Sequence, residues 1–415
     1  MLSKKLTQIL LVILFAVLAI VPARAQGTYT PIYTFQGGTD GSGSSGPLWF
    51  ALVGTLKVPT LWGTTLAGGN GGCYNNLGCG TVFQVNASTN KEKVLWRFQD
   101  GPNDGAAPVG GVLRAGGALY GNTGGGGSTG NGAVFKLSGT LETLIGSLPA
   151  SAVGPSGAMA WNGTTKTLYG TAGFGGLTTG QCSSGCGSVF KVNTITGVEN
   201  TLHQFAGYPN DGREPWGLIR DAAGNLYGVT SIGGVSLCNG AGCGTIFEIS
   251  SAGAYSTLHN FSGGTSDGWL PQNGLLLDAT SNTLYGSTGS GGTYNKGTVF
   301  SYDLATNTYA VIYSFGSGES GTDPIGGLVF DSAGNLWGIA YGGFNNAGII
   351  FELTKSAGTW TTGTVFSFPG GVQGRAGNYG LVYDGTTGNF YGTAAGGAIT
   401  ANCKFGCGVV FKYHQ

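Results

Sequence analysis

The segment Leu168-Tyr169-Gly170, followed after a glycine-rich gap by Val189-Phe190, carries the pattern that decides the fold of this chain. It is an aromatic–glycine step followed by a Val/Ile–Phe step, and the two steps recur together seven times. The aromatic–glycine steps lie at Trp62-Gly63, Tyr120-Gly121, Tyr169-Gly170, Tyr227-Gly228, Tyr285-Gly286, Trp337-Gly338 and Tyr391-Gly392. The Val/Ile–Phe steps end at Phe83, Phe135, Phe190, Phe247, Phe300, Phe351 and Phe411. An internal repeat of this kind determines architecture before any single residue does.

Successive aromatic–glycine steps are 49 to 58 residues apart, which suits four short strands joined by turns. Strand A is apolar and follows a glycine, as in Gly327 to Phe330, and strand B carries the aromatic–glycine step. Strand C carries the Val/Ile–Phe step, and strand D ends on an aromatic residue, as in Leu258 to Phe261. Adjacent apolar residues of strand C, such as Val82 and Phe83, point to opposite faces of a sheet. Both faces must therefore be covered, as they are in a blade of a β-propeller.

The two ends of the repeat array complement each other. Residues Tyr29 to Phe35 match strand D alone, and the seventh unit, Gly380 to Lys412, supplies strands A, B and C without D. We predict an all-β, seven-bladed β-propeller of four-stranded antiparallel blades, in one domain over residues 26–415. The N-terminal strand completes the last blade and closes the ring, whereas an open solenoid would call for polar capping units at both ends.

The composition agrees with an ordered, turn-rich β protein. Glycine accounts for 84 of the 415 residues and recurs in register with aromatic and β-branched residues, and charged residues are only 9%. The formal net charge is zero, and removal of residues 1–25 leaves 15 basic and 18 acidic residues. The chain has no basic stripe, so we expect no nucleic-acid partner.

The N-terminus predicts export. Lys4 and Lys5 precede an uncharged apolar run from Ile9 to Val21, and Ala23-Arg24-Ala25 fits a small-x-small cleavage site. We predict a signal peptide over residues 1–25 and a secreted protein, periplasmic or extracellular. The apolar run is 13 residues long, shorter than the roughly 20 that span a bilayer, so we expect no membrane span after cleavage.

The eight cysteines form four local couples, each ending in Cys-Gly directly before a Val/Ile–Phe strand. An even count in an exported chain argues for disulfides. The couples are Cys73 with Cys79, Cys182 with Cys186, Cys238 with Cys243, and Cys403 with Cys407. A zinc site would need two couples from different repeats to meet, and free thiols are the remaining alternative.

The repeated Leu-Tyr-Gly-Thr, Gly-Gly, Gly-Thr-Val-Phe and Asn-Asp-Gly elements resemble the GloVer tandem repeat of exported bacterial proteins. The resemblance covers residues 29–412 and implies an exported, propeller-like bacterial protein. It implies no established activity and no catalytic residues. Some members are anchored at the cell surface by a separate C-terminal segment, and we expect no such anchor here.

Recurring acids follow strand D, and we interpret them as turn residues whose carboxylates bind nearby backbone amides. They are Asp40, Asp104, Asp211, Asp267 and Asp323. Calcium binding is the alternative, because carboxylates and carbonyls suit a hard cation. His203 and His259 occupy the same position of strand D, and we interpret them as packing or cross-strand residues.

Candidate ligand-binding residues are those that depart from the repeat on the B–C and D–A loop face. They are Arg213, Glu214, Trp216 and Trp269, and Trp and Arg are common anchors at binding sites. We predict no catalytic, cofactor-binding or metal-binding residue and no cofactor, and we expect a monomer.

These features favour an exported, non-catalytic propeller that binds carbohydrate or protein or acts as a scaffold. The alternative is an extracellular propeller enzyme acting on glycans, a hydrolase or lyase, which needs two carboxylates, or a carboxylate with Arg or His, converging at the axis. Glu214 is the foremost candidate for that role.

Overall fold

The computed structural model describes residues 27–415 except 70, 71, 74, 75, 180, 210, 236, 237, 239, 273, 317–320, 325, 344, 345, 378, 398–402, 404 and 405. The predicted signal peptide, residues 1–25, lies outside the described residues. The described part of the chain forms β-strands and a short 3-10 helix, Gly371–Gln373, and none of it is α-helical. Within it, no helix is long and apolar enough to cross a membrane.

The strands build seven antiparallel sheets, or blades, which follow one another along the chain. The first blade consists of β2 (Gly41–Ser44), β3 (Trp49–Val53), β4 (Val58–Gly68), β5 (Thr81–Asn86) and β6 (Lys91–Arg97). The second consists of β7 (Gly105–Ala115), β8 (Ala118–Gly126), β9 (Ala133–Ser138) and β10 (Leu141–Ser147). The third consists of β11 (Val153–Asn162), β12 (Thr167–Phe174), β13 (Ser188–Asn193) and β14 (Glu199–Gln204).

The next two blades consist of β15 (Gly212–Arg220), β16 (Leu226–Gly233), β17 (Thr245–Ile249) and β18 (Tyr255–Asn260); and β19 (Gly268–Pro271), β20 (Leu276–Asp278), β21 (Thr283–Gly291), β22 (Thr298–Asp303) and β23 (Thr308–Ser314). The last two consist of β24 (Thr322–Pro324), β25 (Val329–Phe330), β26 (Leu336–Tyr341), β27 (Ile349–Ser356) and β28 (Thr359–Ser367); and β29 (Arg375–Ala376), β30 (Val382–Asp384), β31 (Asn389–Ala395) and β32 (Val409–His414), with β1 (Thr28–Thr34) added.

Strand β1 closes the ring. It pairs antiparallel with β32, so that Tyr29 lies opposite Tyr413 and Thr34 opposite Val409. The N-terminal strand thus supplies strand D of the seventh blade, and the prediction of an all-β, seven-bladed β-propeller is confirmed.

The two steps of the repeated motif are cross-strand partners. In every blade the glycine of the aromatic–glycine step pairs directly with the phenylalanine of the Val/Ile–Phe step, as Gly170 does with Phe190. A Cβ on any of these glycines would overlap the paired phenylalanine ring. Glycine is therefore needed because the ring lies directly over its backbone, which explains why the two steps recur together.

The strand-C side chains face two different seams between blades, as predicted. Val82 packs with Phe98 and Phe135 on the side of the second blade, and Phe83 packs with Phe35 on the side of the seventh. Both side chains are fully buried. At six of the seven seams an aromatic residue at the end of strand D meets the strand-C phenylalanine of the next blade, with ring centroids 4.9 to 5.4 Å apart. Leu148 fills this position at the seam between the second and third blades.

Backbone hydrogen bonds also join neighbouring blades at each seam. The glycine that precedes strand C adopts a left-handed conformation in all seven blades, with φ from 91° to 104°. The carbonyl of the residue before it accepts a hydrogen bond from strand A of the next blade, as Cys186 O does from the N–H of Glu214 at 3.0 Å. Pro215 packs against Gly187 at this seam, leaving no room for a Cβ. These contacts set the spacing between neighbouring blades.

The predicted disulfides are confirmed. Four bonds join Cys73 to Cys79, Cys182 to Cys186, Cys238 to Cys243, and Cys403 to Cys407. The second cysteine of each pair is fully buried, and its carbonyl is the one that accepts the hydrogen bond from the next blade. Each bond therefore holds the end of a B–C loop where it meets its neighbour. Structural disulfides are typical of exported proteins.

The B–C and D–A loops emerge on one face of the ring, which we call the loop face. The start of strand A lies beside the end of strand B, as Gly105 lies beside Gly126. The A–B and C–D turns occupy the opposite face. Strand A is less regular than the sequence predicts, because it is bulged in blades two to four and split into two strands in the other four.

Candidate functional site

The irregularity of strand A has its cause at the propeller axis, where strand-A glycines of neighbouring blades meet. Gly46 lies against Gly111, Gly110 against Gly157, and Gly217 against Gly274. A Cβ at Gly46, Gly110 or Gly157 would collide with the backbone of the adjacent blade. Glycine thus permits seven strands to converge, and the backbone bends at each of these points.

A cavity of about 220 Å³ lies on the axis among these strands. Six of the seven blades contribute strand-A residues to its wall, including Val109, Pro155, Ser156, Trp216, Tyr379 and Leu381. The wall is mostly apolar, with the Trp216 indole, the Tyr379 phenol and the Ser156 hydroxyl as its polar handles. Pockets that combine an apolar wall with a few polar groups are typical of small-ligand sites.

Strand A begins at the loop face, and Trp216 comes before the axial Gly217 in it. Trp216 therefore lies nearer the loop face than Gly217 does. Tyr379 interacts electrostatically with Tyr341, at the loop-face end of β26. Burial raises the pKa of Tyr379, and burial followed by the charge of Asp323 raises the pKa of Tyr341. Tyr341 and Asp323 both lie near the loop face, where Thr322 of β24 pairs with Tyr341 of β26.

The four candidate binding residues occupy different surroundings. Arg213 Nη2 lies 3.1 Å from Glu214 Oε1, and Arg213 Nη1 donates to Gln181 O at 2.8 Å. This pair thus sits against the Cys182–Cys186 loop of the third blade. Trp216 reaches the axial cavity, whereas Trp269 packs against the cluster that contains Cys243 and is absent from the described cavity wall. The structure brings Arg213 and Glu214 together and places only Trp216 in the cavity.

Four of the five recurring acids are turn residues. Asp40, Asp104, Asp211 and Asp267 each accept hydrogen bonds from two backbone amides of their own turn, at 2.7 to 2.9 Å. These bonds occupy the carboxylates, and the four turns belong to different seams. In the described residues, no three His, Cys, Asp or Glu side chains group closely enough to hold a metal ion.

The interpretation of Asp323 as a turn acid is wrong. It lies directly before Pro324 in β24 and has a left-handed φ of 52°. Its N–H donates to Lys296 O of the preceding blade at 2.7 Å. Asp323 therefore corresponds to Glu214 in strand A, and burial raises the pKa of its carboxyl group.

The two histidines of strand D hold turn acids in place. His203 Nε2 lies 3.0 Å from Asp211 Oδ2, and the imidazole stacks on Tyr255 with centroids 3.7 Å apart. Tyr255 also donates to Asp211 Oδ1 at 2.7 Å. Burial works to raise the pKa of Asp211, but hydrogen bonds from His203, Tyr255 and Ala206 N outweigh it and lower the pKa. His259 and Asp267 repeat the arrangement.

Exposed apolar side chains are concentrated on the loop face. Of the twelve large apolar residues that are exposed in the described part of the chain, eight lie on B–C or D–A loops or at the strand ends beside them. They are Leu66, Leu77, Phe174, Leu177, Val235, Tyr294, Tyr341 and Val372. Position in the sequence alone did not single them out, because each belongs to a loop that differs from blade to blade.

Comparison with solved structures supports the fold alone. The chain is 10% identical to oligogalacturonate lyase from Vibrio parahaemolyticus, with a TM-score of 0.51 and coverage of 94% of this chain and 98% of the lyase. It is 11% identical to the extracellular domain of a putative hybrid two-component system from B. thetaiotaomicron, with a TM-score of 0.51 and coverage of 91% and 39%. An oligogalacturonate lyase in complex with manganese is 11% identical, with a TM-score of 0.52 and coverage of 94% and 98%.

No curated protein matches the chain significantly in sequence. The family model described as the Gloeobacter/Verrucomicrobia repeat matches twice, over residues 19–241 and 217–415. Together the two matches cover nearly the whole chain and all seven blades. The chain therefore belongs to the Gloeobacter/Verrucomicrobia repeat family.

Proposed function

We propose that this protein is an exported, non-catalytic binding module that binds carbohydrate on its loop face, with one sugar unit in the axial cavity. The observation that carries the proposal is the concentration of exposed apolar side chains on the loop face. Trp216 lines the axial cavity on the side nearer that face. Exposed apolar surface on one face is typical of an interaction site. The four disulfides and the predicted signal peptide support export.

The size and chemistry of the cavity support a sugar unit as ligand. Its volume of about 220 Å³ is below the roughly 300–1,000 Å³ of sites for drug-sized molecules, so it suits one small ring. Indole and phenol faces pack against the C–H faces of such a ring, while their polar tips and a hydroxyl can hydrogen-bond to its edge. Trp216 and Tyr379 supply these groups, and the Ser156 hydroxyl, which donates to Pro215 O at 2.6 Å, remains as an acceptor.

The enzyme alternative requires acid–base groups at the reacting centre. Among the described residues that line the axial cavity, none carries a carboxylate, a guanidinium or an imidazole. Glu214 is engaged by Arg213, and Asp323 occupies the corresponding strand-A position of the sixth blade, next to the Thr322–Tyr341 pair. Asp323 and Glu214 are therefore the two carboxylates on which a catalytic role can be tested.

A protein ligand is the second candidate, favoured by the aliphatic members of the exposed set. Leu77, Leu177 and Val235 stand on loops away from the cavity wall, where they could pack against a polypeptide. A protein partner would be weakened by Leu177→Asp and unaffected by Trp216→Ala. A glycan whose sugar unit occupies the axis would show the reverse.

The test is a glycan-binding array run beside turnover assays on the same panel. Trp216→Ala should weaken binding of any hit by about thirty-fold, as expected for a buried aromatic anchor worth about 2 kcal/mol. Trp360→Ala is the matched control, because Trp360 is a half-buried tryptophan of the outer strand β28 that packs beside Lys355. It should leave the affinity unchanged.

Two results would overturn the proposal. One is an array without hits, or with hits that bind Trp216→Ala as tightly as the unmodified protein. The other is turnover that Asp323→Asn or Glu214→Gln abolishes, which would make the protein an enzyme. Binding without turnover, lost only in Trp216→Ala, supports the binding module.

A further inference from the structure

Asn122, in strand B of the second blade, has an amide group without any hydrogen-bond partner. Its side chain is 1% exposed, and both Oδ1 and Nδ2 are buried and unpaired. Buried side-chain polar groups in folded proteins nearly always have a partner, so each exception calls for an explanation. The exchange of oxygen and nitrogen in an amide does not alter the point, because neither atom is paired.

The missing partner reflects a local departure from the repeat. In the first blade the corresponding residue, Thr64, accepts a hydrogen bond at 2.9 Å from Ser45 of strand A. In the third blade Thr171 does the same with Ser156 at 3.2 Å. The second blade has Val109 opposite Asn122, so its strand A offers no hydroxyl. Asn122 is thus larger and more polar than its counterparts and has lost the group that would satisfy it.

Asn122 lines a second cavity of about 180 Å³. Trp49, Leu113 and Met159 form its apolar wall, and they follow the axial glycines in their strands. Since strand A runs away from the loop face, these three residues lie farther from that face than Val109 and Trp216 of the axial cavity. A cavity of about 150 Å³ is known to hold a benzene-sized ring, so this space is sufficient for one six-membered ring.

We propose that the second cavity is a binding site for a small neutral ring that carries hydroxyl groups, a cyclic polyol or single sugar, held by the Asn122 amide. An amide offers an NH₂ donor group and a carbonyl acceptor side by side, and two adjacent hydroxyls can bond to both. The Trp49 and Met159 side chains pack against the C–H faces of the ring. No charged side chain lines the described part of the cavity, which selects a neutral ligand.

The site is separate from the axial cavity of the proposed function, although the two share Pro47, Gly110, Gly157 and Ala158 in their walls. It does not depend on a glycan binding at the loop face. The two proposals are distinguished by their key residues, Asn122 for the second cavity and Trp216 for the axial one.

The experiment measures binding of myo-inositol and methyl β-D-glucopyranoside by ligand-observed NMR and by thermal shift. Asn122→Val copies the residue at the corresponding position of the fourth blade, Val229, and should weaken binding at least tenfold. It should also raise the melting temperature of the unliganded protein by about 1–2 °C, because the orphan amide is gone. Trp216→Ala and Thr64→Val, at the same position in the first blade, should both retain binding.

Binding that disappears in Asn122→Val and persists in both controls supports the proposal. Binding of neither compound by the unmodified protein overturns it, since Asn122 is then satisfied by water alone. Binding that Trp216→Ala abolishes and Asn122→Val does not change overturns it too, because the ligand then occupies only the axial cavity. If Asn122→Val proves unstable, Asn122→Thr, which copies Thr64 and Thr171, replaces it under the same criteria.

Discussion

Substitution of Gly170 by alanine tests the explanation of the repeated motif. Gly170 pairs with Phe190 across strands B and C, and a Cβ would lie 2.5 Å from Cζ of the ring. Carbon atoms in contact are ordinarily about 3.5–4.0 Å apart, so ring or backbone would have to shift by about 1 Å. Phe190 is fully buried among Leu148, Leu168 and Val192, and a close-packed interior has little room for that movement.

Overpacking of this kind usually costs about 1–3 kcal/mol, and we expect a value near the upper end because the ring is enclosed on all sides. Urea denaturation followed by tryptophan fluorescence gives the free energy of unfolding. Phe190→Leu provides the relief test, since the smaller side chain leaves room for the added methyl group. The double variant should be less destabilised than the sum of the single variants by at least about 1 kcal/mol.

Gly173 provides a matched control in the same strand, β12. A Cβ there would find Gly154 O as its nearest atom, at 3.7 Å, and its backbone is not left-handed. Gly173→Ala should be neutral or stabilising by up to about 1 kcal/mol, because it restricts the unfolded chain without a clash. A cost of Gly170→Ala no greater than that of Gly173→Ala would contradict a clash with the ring, and so would simple additivity of the two effects in the double variant.

Two further predictions concern carboxyl groups. Burial, with the nearby Asp104 charge, raises the pKa of Glu142 to about 7, so the folded state holds a proton that the unfolded chain releases between about pH 4.5 and 7. Glu142→Gln should therefore stabilise the protein by about 1 kcal/mol above pH 7, after allowance for solvent screening. Near pH 4 it should have no effect on stability, and an equal gain at both pH values contradicts the prediction. Asp211→Asn should lower the free energy of unfolding by about 2–3 kcal/mol at pH 7, because it disrupts the bonds to His203 and two backbone amides. Asp323→Asn should lower it little, since burial disfavours the charged form of this carboxyl group. Thermal denaturation at pH 7 compares the pair, and equal losses would refute the distinction.

Much of the fold could be predicted because the repeat records contacts that every blade must make. The count of seven units, together with the unpaired strand at Tyr29, was sufficient to predict a closed ring. The alternation of Val82 and Phe83 predicted two covered faces, and the cysteine spacing predicted the local disulfides. Each of these follows from residues near one another in sequence or from copies of the same unit.

The remainder depended on register, which spacing alone does not supply. Asp323 follows strand D as the turn acids do, but the other four precede a glycine and Asp323 precedes Pro324. The proline places it in strand A, where the backbone is left-handed and bonds to the preceding blade. A proline directly after the acid is therefore the sequence signal that separates Asp323 from the turn acids.

The axial site was harder to predict because it is formed by short segments from six distant units. Tyr379 of the axial cavity and Asn122 of the second cavity look unremarkable in their own segments, and only the ring brings them together with the other wall residues. Trp216 was singled out as a departure from the repeat, and of the four predicted binding residues it alone lines the cavity. Its neighbours Arg213 and Glu214 depart from the repeat as well, but they are held over a seam by their ion pair and by Gln181.

The residues that pair between strands A and B next to the axial glycines are not held by the contacts that fix the repeated positions. Glycine, proline and phenylalanine at the other repeated positions are fixed by contacts with their own or a neighbouring blade, so they cannot vary without loss of stability. The residues that pair next to the axial glycines are free of that constraint, and they differ from blade to blade: Ser45 with Thr64, Val109 with Asn122, Ser156 with Thr171, and Trp216 with Val229. Under the proposed function, we expect ligand choice to vary at these positions, because the scaffold does not fix them and they include residues of both cavities.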